Sequence, residues 1–143
     1  MAEFSFIHQQ LVAADENILF LNGDRCCKKG YILHNDSSRV FRLKGICKNC
    51  ACKAVYKVHF NANIAVSTGG TVGEISVALV QNGEVLRNAI GTVTPTVAEA
   101  FFSTGFETFI ELPCGCCDTI SVRNISDTAI DVINANIVID RVA

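Results

Sequence analysis

Eight cysteines in 143 residues are the side chains best able to do chemistry in this chain. Thiolates ligate soft metals, and exposed thiols oxidise to disulfides. Two pairs carry the C-x-x-C spacing of a zinc ligand pair. They are Cys47 and Cys50 in "CKNCAC", and Cys114 and Cys117 in "PCGCC". Four thiolates could close a tetrahedral site, but the two pairs stand much further apart than in small zinc modules. Cys26, Cys27, Cys47, Cys50, Cys52, Cys114, Cys116 and Cys117 are all disulfide candidates. The vicinal pairs Cys26-Cys27 and Cys116-Cys117 would form a strained ring, so each thiol would seek its partner elsewhere or on another subunit. The plainest alternative is a free thiol packed as a small hydrophobe. A thioredoxin-like centre is not expected, because the pattern contains no βαβ unit to hold the first cysteine at a helix N-terminus.

Other chemistry is sparse. Of the three histidines, His8, His34 and His59, His59 lies on a polar strand face and His34 at a strand end, where ordinary structural roles are expected ahead of metal ligation or catalysis. The carboxylates are scattered. No G-x-S-x-G elbow, phosphate-binding loop, H-E-x-x-H or G-x-G-x-x-G is present. No enzyme and no cofactor is expected. Nine Phe, two Tyr and no Trp disfavour a dedicated sugar platform.

These residues must be positioned by a small β domain. Half the residues are hydrophobic and 18% are charged, at a length that suggests one domain with a real core. A net charge of −2 gives no general pull toward nucleic acid or anionic membrane. No apolar run would span a bilayer as a helix. The opening "MAEFSFIHQQ" lacks the basic and apolar regions of a signal peptide. Folding in a cytosol is therefore expected, whereas abundant cysteine suggests oxidising surroundings. Release by lysis reconciles the two.

Short alternating runs separated by turn residues predict about eight to ten strands and no firm helix. "NILFLNG", "GYILH" and "SRVFRLKG" are the early strands. In "AVYKVHFNANIAV", Tyr56, Val58, Phe60, Ala62, Ile64 and Val66 fall on one face, and Val55, Lys57, His59, Asn61 and Asn63 on the other. "ISVALVQ" and "VLRNAI" flank Asn82-Gly83, the strongest short hairpin signal. Pro95 belongs in a loop or at an edge, and "TVAEAFF" is read as one short helical turn. "ETFIELP", "DTISVRN" and "AIDVINANIVIDRV" complete a two-sheet jelly-roll sandwich. The echo between "NANIAV" and "NANIVI" is either coincidence or two neighbouring strands with similar packing duties.

Phe101, Phe102, Phe106 and Phe109 form the densest aromatic region, read either as core or as an apolar subunit interface. Residues 1–10 are read as an N-terminal arm or a first strand, and residues 11–143 as the jelly-roll domain.

Five stretches carry a family resemblance: "QQLVAADENILF", "GYILHNDSSRVFRLKG", "YKVHFNANIAVSTGGTVGEISVALVQNGEVL", "ELPCGCCDTISVRN" and "INANIVIDRVA". Over residues 9–143 the chain resembles small virion proteins of phages and prophages of gut Firmicutes. "NIAVSTGGTVGEISVAL" at residues 63–79 is the most specific part. The chain also resembles, more loosely, the C1q/TNF-like jelly-roll superfamily. That resemblance implies a homotrimer without catalytic residues and a structural role on a particle, such as capsid decoration. The implied partners are the major capsid protein or another virion protein, with assembly in the host cytoplasm and release by lysis. A receptor- or glycan-binding knob with a host surface ligand is the alternative, and a cysteine-ligated metalloprotein the third. "CKNCAC" is richer in cysteine than the resemblance leads one to expect, which leaves a covalent link between subunits open.

Overall fold

A computed structural model describes residues 1–22, 31–35, 38–46 and 53–142 of the chain. Eleven strands are described, and no helix. They are β1 (Ala2–Phe6), β2 (Gln10–Val12), β3 (Leu21–Asn22), β4 (Ile32–Leu33), β5 (Phe41–Lys44), β6 (Lys53–Val66), β7 (Ile75–Gln81), β8 (Glu84–Val93), β9 (Phe102–Pro113), β10 (Cys117–Asn124) and β11 (Ile130–Arg141). The first sheet runs β3-β1-β11-β6-β9, with β2 also paired to β11. The second runs β4-β5-β10-β7-β8. All pairings are antiparallel. Residues 2–6 thus form a strand inside the first sheet.

Period-two alternation builds this sandwich. Tyr56, Val58, Phe60, Ala62, Ile64 and Val66 all point inward and are buried, while Lys57, His59, Asn61 and Asn63 face out. The opposing sheet contributes Phe41, Leu43, Val77, Leu79, Ile120 and Val122. Phe4, Phe41, Phe20 and Phe60 form an aromatic chain across the core, in that order, with successive ring centroids 4.7, 5.5 and 6.3 Å apart.

Local chemistry sets the connections. Asn82 (φ 50°) and Gly83 (φ 87°) make the tight β7–β8 turn, because both central positions of a two-residue hairpin of this type need positive φ. The "NANIAV" and "NANIVI" segments lie in neighbouring strands, with Asn61 opposite Asn136. A bulge at Asn134 (φ 57°) breaks their register. Two expectations differ. "NILFLNG" yields only an isolated bridge at Asn17 and the short β3, because this stretch crosses from the second sheet to the first. "TVAEAFF" turns without a helix, since Glu99 adopts φ 66° and its N–H bonds to the Val66 carbonyl.

Side-chain clasps tie the sheets together. Asn124 is fully buried, and its Nδ2 donates to the carbonyls of Val12, Ala13 and Thr128 at 3.1, 3.2 and 3.0 Å. Its Oδ1 accepts the Ser126 N–H at 2.9 Å. At one side, Asn88 Nδ2 of β8 donates to Thr108 Oγ1 of β9 at 3.2 Å. At the other, the buried His34 ring stacks on Phe41 at 4.4 Å and meets Asn22 Oδ1 and the Ser38 carbonyl through its two nitrogens.

Candidate interaction surface

The outward face of the first sheet is built by register. On β6 and β9, Lys57 stands opposite Phe109, His59 opposite Glu107, Asn61 opposite Gly105 and Asn63 opposite Ser103. On the other side of β6, Val138 and Asp140 of β11 flank His59 and Lys57. Glu107 Oε1 lies 3.1 Å from Lys57 Nζ, and Oε2 lies 3.3 Å from His59 Nδ1. Hydrogen bonding from Lys57, with a smaller part from His59, holds the Glu107 carboxyl below its ordinary value. No nucleophile stands within this group, so it is an ion-pair cluster on a strand face.

Phe109 projects from this face with 60% of its surface exposed. Four residues earlier, Gly105 leaves a depression of about 500 Å3 edged by His59, Asn61, Ser103 and Glu107. A Cβ at Gly105 would lie 2.3 Å from the Phe60 carbonyl oxygen, so glycine is what lets β9 approach β6 there. The four phenylalanines therefore divide. Phe106 stacks on Phe60 at 5.2 Å and is half-buried. Phe101, Phe102 and Phe109 are exposed.

Cys114, Cys116 and Cys117 are free and exposed on the β9–β10 turn. The turn is rigidly seated. Gly45 N–H donates to the Cys116 carbonyl at 2.7 Å, Gly115 N–H to the Gly45 carbonyl at 2.8 Å, and Cys116 N–H to the Pro113 carbonyl at 3.1 Å. A Cβ at Gly45 would come within 2.5 Å of the Pro113 oxygen. Among the described residues no disulfide forms and no group of histidine, cysteine or carboxylate side chains converges to hold a metal. Cys26, Cys27, Cys47, Cys50 and Cys52 lie outside the described residues, so the candidate pairing of Cys47 and Cys50 with Cys114 and Cys117 does too.

Sequence reasoning missed three features. Gly105 was silent because a notch depends on which strands flank it. Asp131 is buried beside β2, and burial together with the Glu99 charge raises its carboxyl pKa against a lowering hydrogen bond from Gln9. Only the fold brings Glu99 near it, 32 positions away in sequence. Asn124 gave no signal beyond being a polar residue in a strand.

Two interleaved antiparallel sheets in these strand orders define a jelly roll of the TNF/C1q type. The Eiger TNF of S. frugiperda superposes with a TM-score of 0.69 at 14% identity, covering 99% of this chain and 92% of that one. Murine APRIL gives 0.58 at 10% identity, covering 93% of this chain and 98% of that one. The globular domain of zebrafish complement 1qA gives 0.55 at 12%, covering 96% of each. At such identities the likeness is one of fold. No family model and no curated protein matches the sequence.

Proposed function

We propose that the chain is a non-catalytic structural module that assembles as a homotrimer through the outward face of its first sheet and decorates a phage capsid. The observation that carries the assembly is the pairing of an exposed knob, Phe109, with a notch at Gly105 on one sheet face. A cyclic trimer uses head-to-tail contacts, so the knob of one copy can enter the notch of the next. Covering Phe109 would bury up to about 100–150 Å2 of aromatic surface per copy, worth about 3 kcal/mol at about 25 cal/mol per Å2. The TNF/C1q-type fold supports the trimer, and the resemblance over residues 9–143 supports the virion role, with assembly in the host cytoplasm and release by lysis.

Native mass spectrometry of the purified chain tests the assembly. A trimer that Phe109→Arg converts to monomer is expected; a monomeric parent protein would refute it. Co-sedimentation with phage heads lacking the protein tests the decoration role, and failure to bind heads would refute that part alone. The second reading, a receptor- or glycan-binding knob, is favoured by the exposed Phe101 and Phe102, at 38% and 44% exposure.

A further inference from the structure

The two sheet faces differ in charge. All four ion pairs among the described residues belong to the first sheet: Met1–Asp140, Lys53–Glu111, Lys57–Glu107 and His59–Glu107. The outward face of the second sheet has cations without them. Arg42 is exposed between the buried Phe41 and Leu43, so it points away from the core. Lys44, two residues on, shares that face at about 7 Å along the strand. Arg123 follows on β10, four residues beyond Thr119, the register partner of Arg42. Arg39 lies just before β5, its Nη1 held by the Asn17 carbonyl at 2.5 Å. No described carboxylate lies within 4 Å of any of these four cations. Two described acids near this face are engaged elsewhere: Asp118 accepts from Gln81 Nε2 at 2.7 Å, and Glu16 from the Ala13 N–H at 3.2 Å.

Arg42 also borders a depression of about 370 Å3, lined by Leu33, Val40, Ser38 and Thr119 among others. That volume lies within the range of small-ligand clefts. Leu33 and Val40 offer an apolar wall for the C–H face of a sugar ring, Thr119 and Ser38 offer hydroxyl oxygens, and Arg42 offers a forked donor for a planar anionic group. We infer that this face binds an acidic glycan, with Arg42 gripping a carboxylate or sulfate group in the depression and Lys44 following the chain. Nucleic acid fits less well. No Phe or Tyr among the described residues lines the depression, its one ring, His34, is buried and already stacked on Phe41, and the net charge of −2 opposes a polyphosphate. The inference goes beyond the trimer reading and does not depend on it, since a monomer carries the same face.

Fluorescence anisotropy with the full chain and four labelled probes tests it: oligogalacturonate, dextran sulfate, neutral dextran and an oligo-dT matched in charge. Oligogalacturonate or dextran sulfate should bind, whichever anionic group is preferred, with affinity falling as salt rises. Arg42→Ala should weaken that binding at least tenfold and Arg42→Glu abolish it, with Lys44→Glu, at a half-buried position, as a second variant. Neutral dextran should not bind. Unchanged affinity in Arg42→Glu, equal binding of oligo-dT, or no binding of either anionic glycan at 0.1 M salt would each overturn the inference. Oligomeric state, measured in the same samples, reports separately on the trimer.

Discussion

Replacing Asn124 with alanine should remove the polar clasp that holds the end of β2, the start of the β10–β11 connection and β10 to one another. The amide serves three carbonyls through its two N–H groups and accepts one backbone N–H. Net hydrogen bonds to neutral partners contribute about 1 kcal/mol each, and a buried donor left without a partner costs about 1–3 kcal/mol. Alanine forfeits the bonds and strands the Ser126 N–H in the interior, for a loss of about 3–5 kcal/mol. That is a large share of the about 5–15 kcal/mol that holds a domain together. Urea unfolding followed by circular dichroism, at one fixed protein concentration, should show the midpoint fall with an unchanged slope. Thermal unfolding should drop by about 10–15 °C, at about 3 °C per kcal/mol for this length. Asn124→Asp should be worse at neutral pH, because a carboxylate would face three carbonyl oxygens. It should recover partly on acidification, since protonation restores a donor. A loss below about 1 kcal/mol for alanine, or an Asp variant insensitive to pH, would refute the clasp argument.

Four further outcomes are expected. Asp131→Asn should raise thermal stability at pH 8 and less so near pH 4; the wild-type carboxyl has a raised folded pKa, so its stability is full below the unfolded value and lost as pH rises through the folded one. A melting series across that pH range showing an advantage for Asn that grows toward acid would contradict this sign. Tyr56→Phe should cost about 1–2 kcal/mol in urea unfolding, because the hydroxyl donates to the Lys44 carbonyl at 2.6 Å and also reaches the Tyr31 carbonyl at 3.2 Å. Gly45→Ala should loosen the cysteine turn, since the new methyl would meet the Pro113 and Cys116 oxygens; faster amide exchange at Gly115 and Cys116 is the readout, and unchanged protection would count against it. Iodoacetamide on the native, reduced protein should label Cys114, Cys116 and Cys117, and peptide mapping that finds them protected would remove the exposed-turn geometry.

The long central strand was legible because its alternation runs unbroken over β6, and inward residues recur there at every second position. Asn82-Gly83 was legible because only a few residue types tolerate positive φ at both turn positions. The "NANI" echo foreshadowed neighbouring strands, although their bulge did not show in the pattern. β3 and the Glu99 turn were misjudged for one reason. Local propensity favours a strand or a helical turn there, but the chain crosses between sheets at the first and folds back onto Val66 at the second. The cysteine spacing announced chemistry without specifying it, because ligation depends on where thiols point, and Cys114, Cys116 and Cys117 face solvent.

By itself the sequence determined an all-β sandwich, its main inward-facing residues and its tight hairpin, since strand alternation and turn preferences act over a few neighbouring residues. Only the tertiary structure decided which described cations have no described carboxylate beside them, which phenylalanines stay exposed, and which asparagine clasps the sheets. Those properties belong to groups distant in the chain, and strand order is what brings them within bonding reach or keeps them apart.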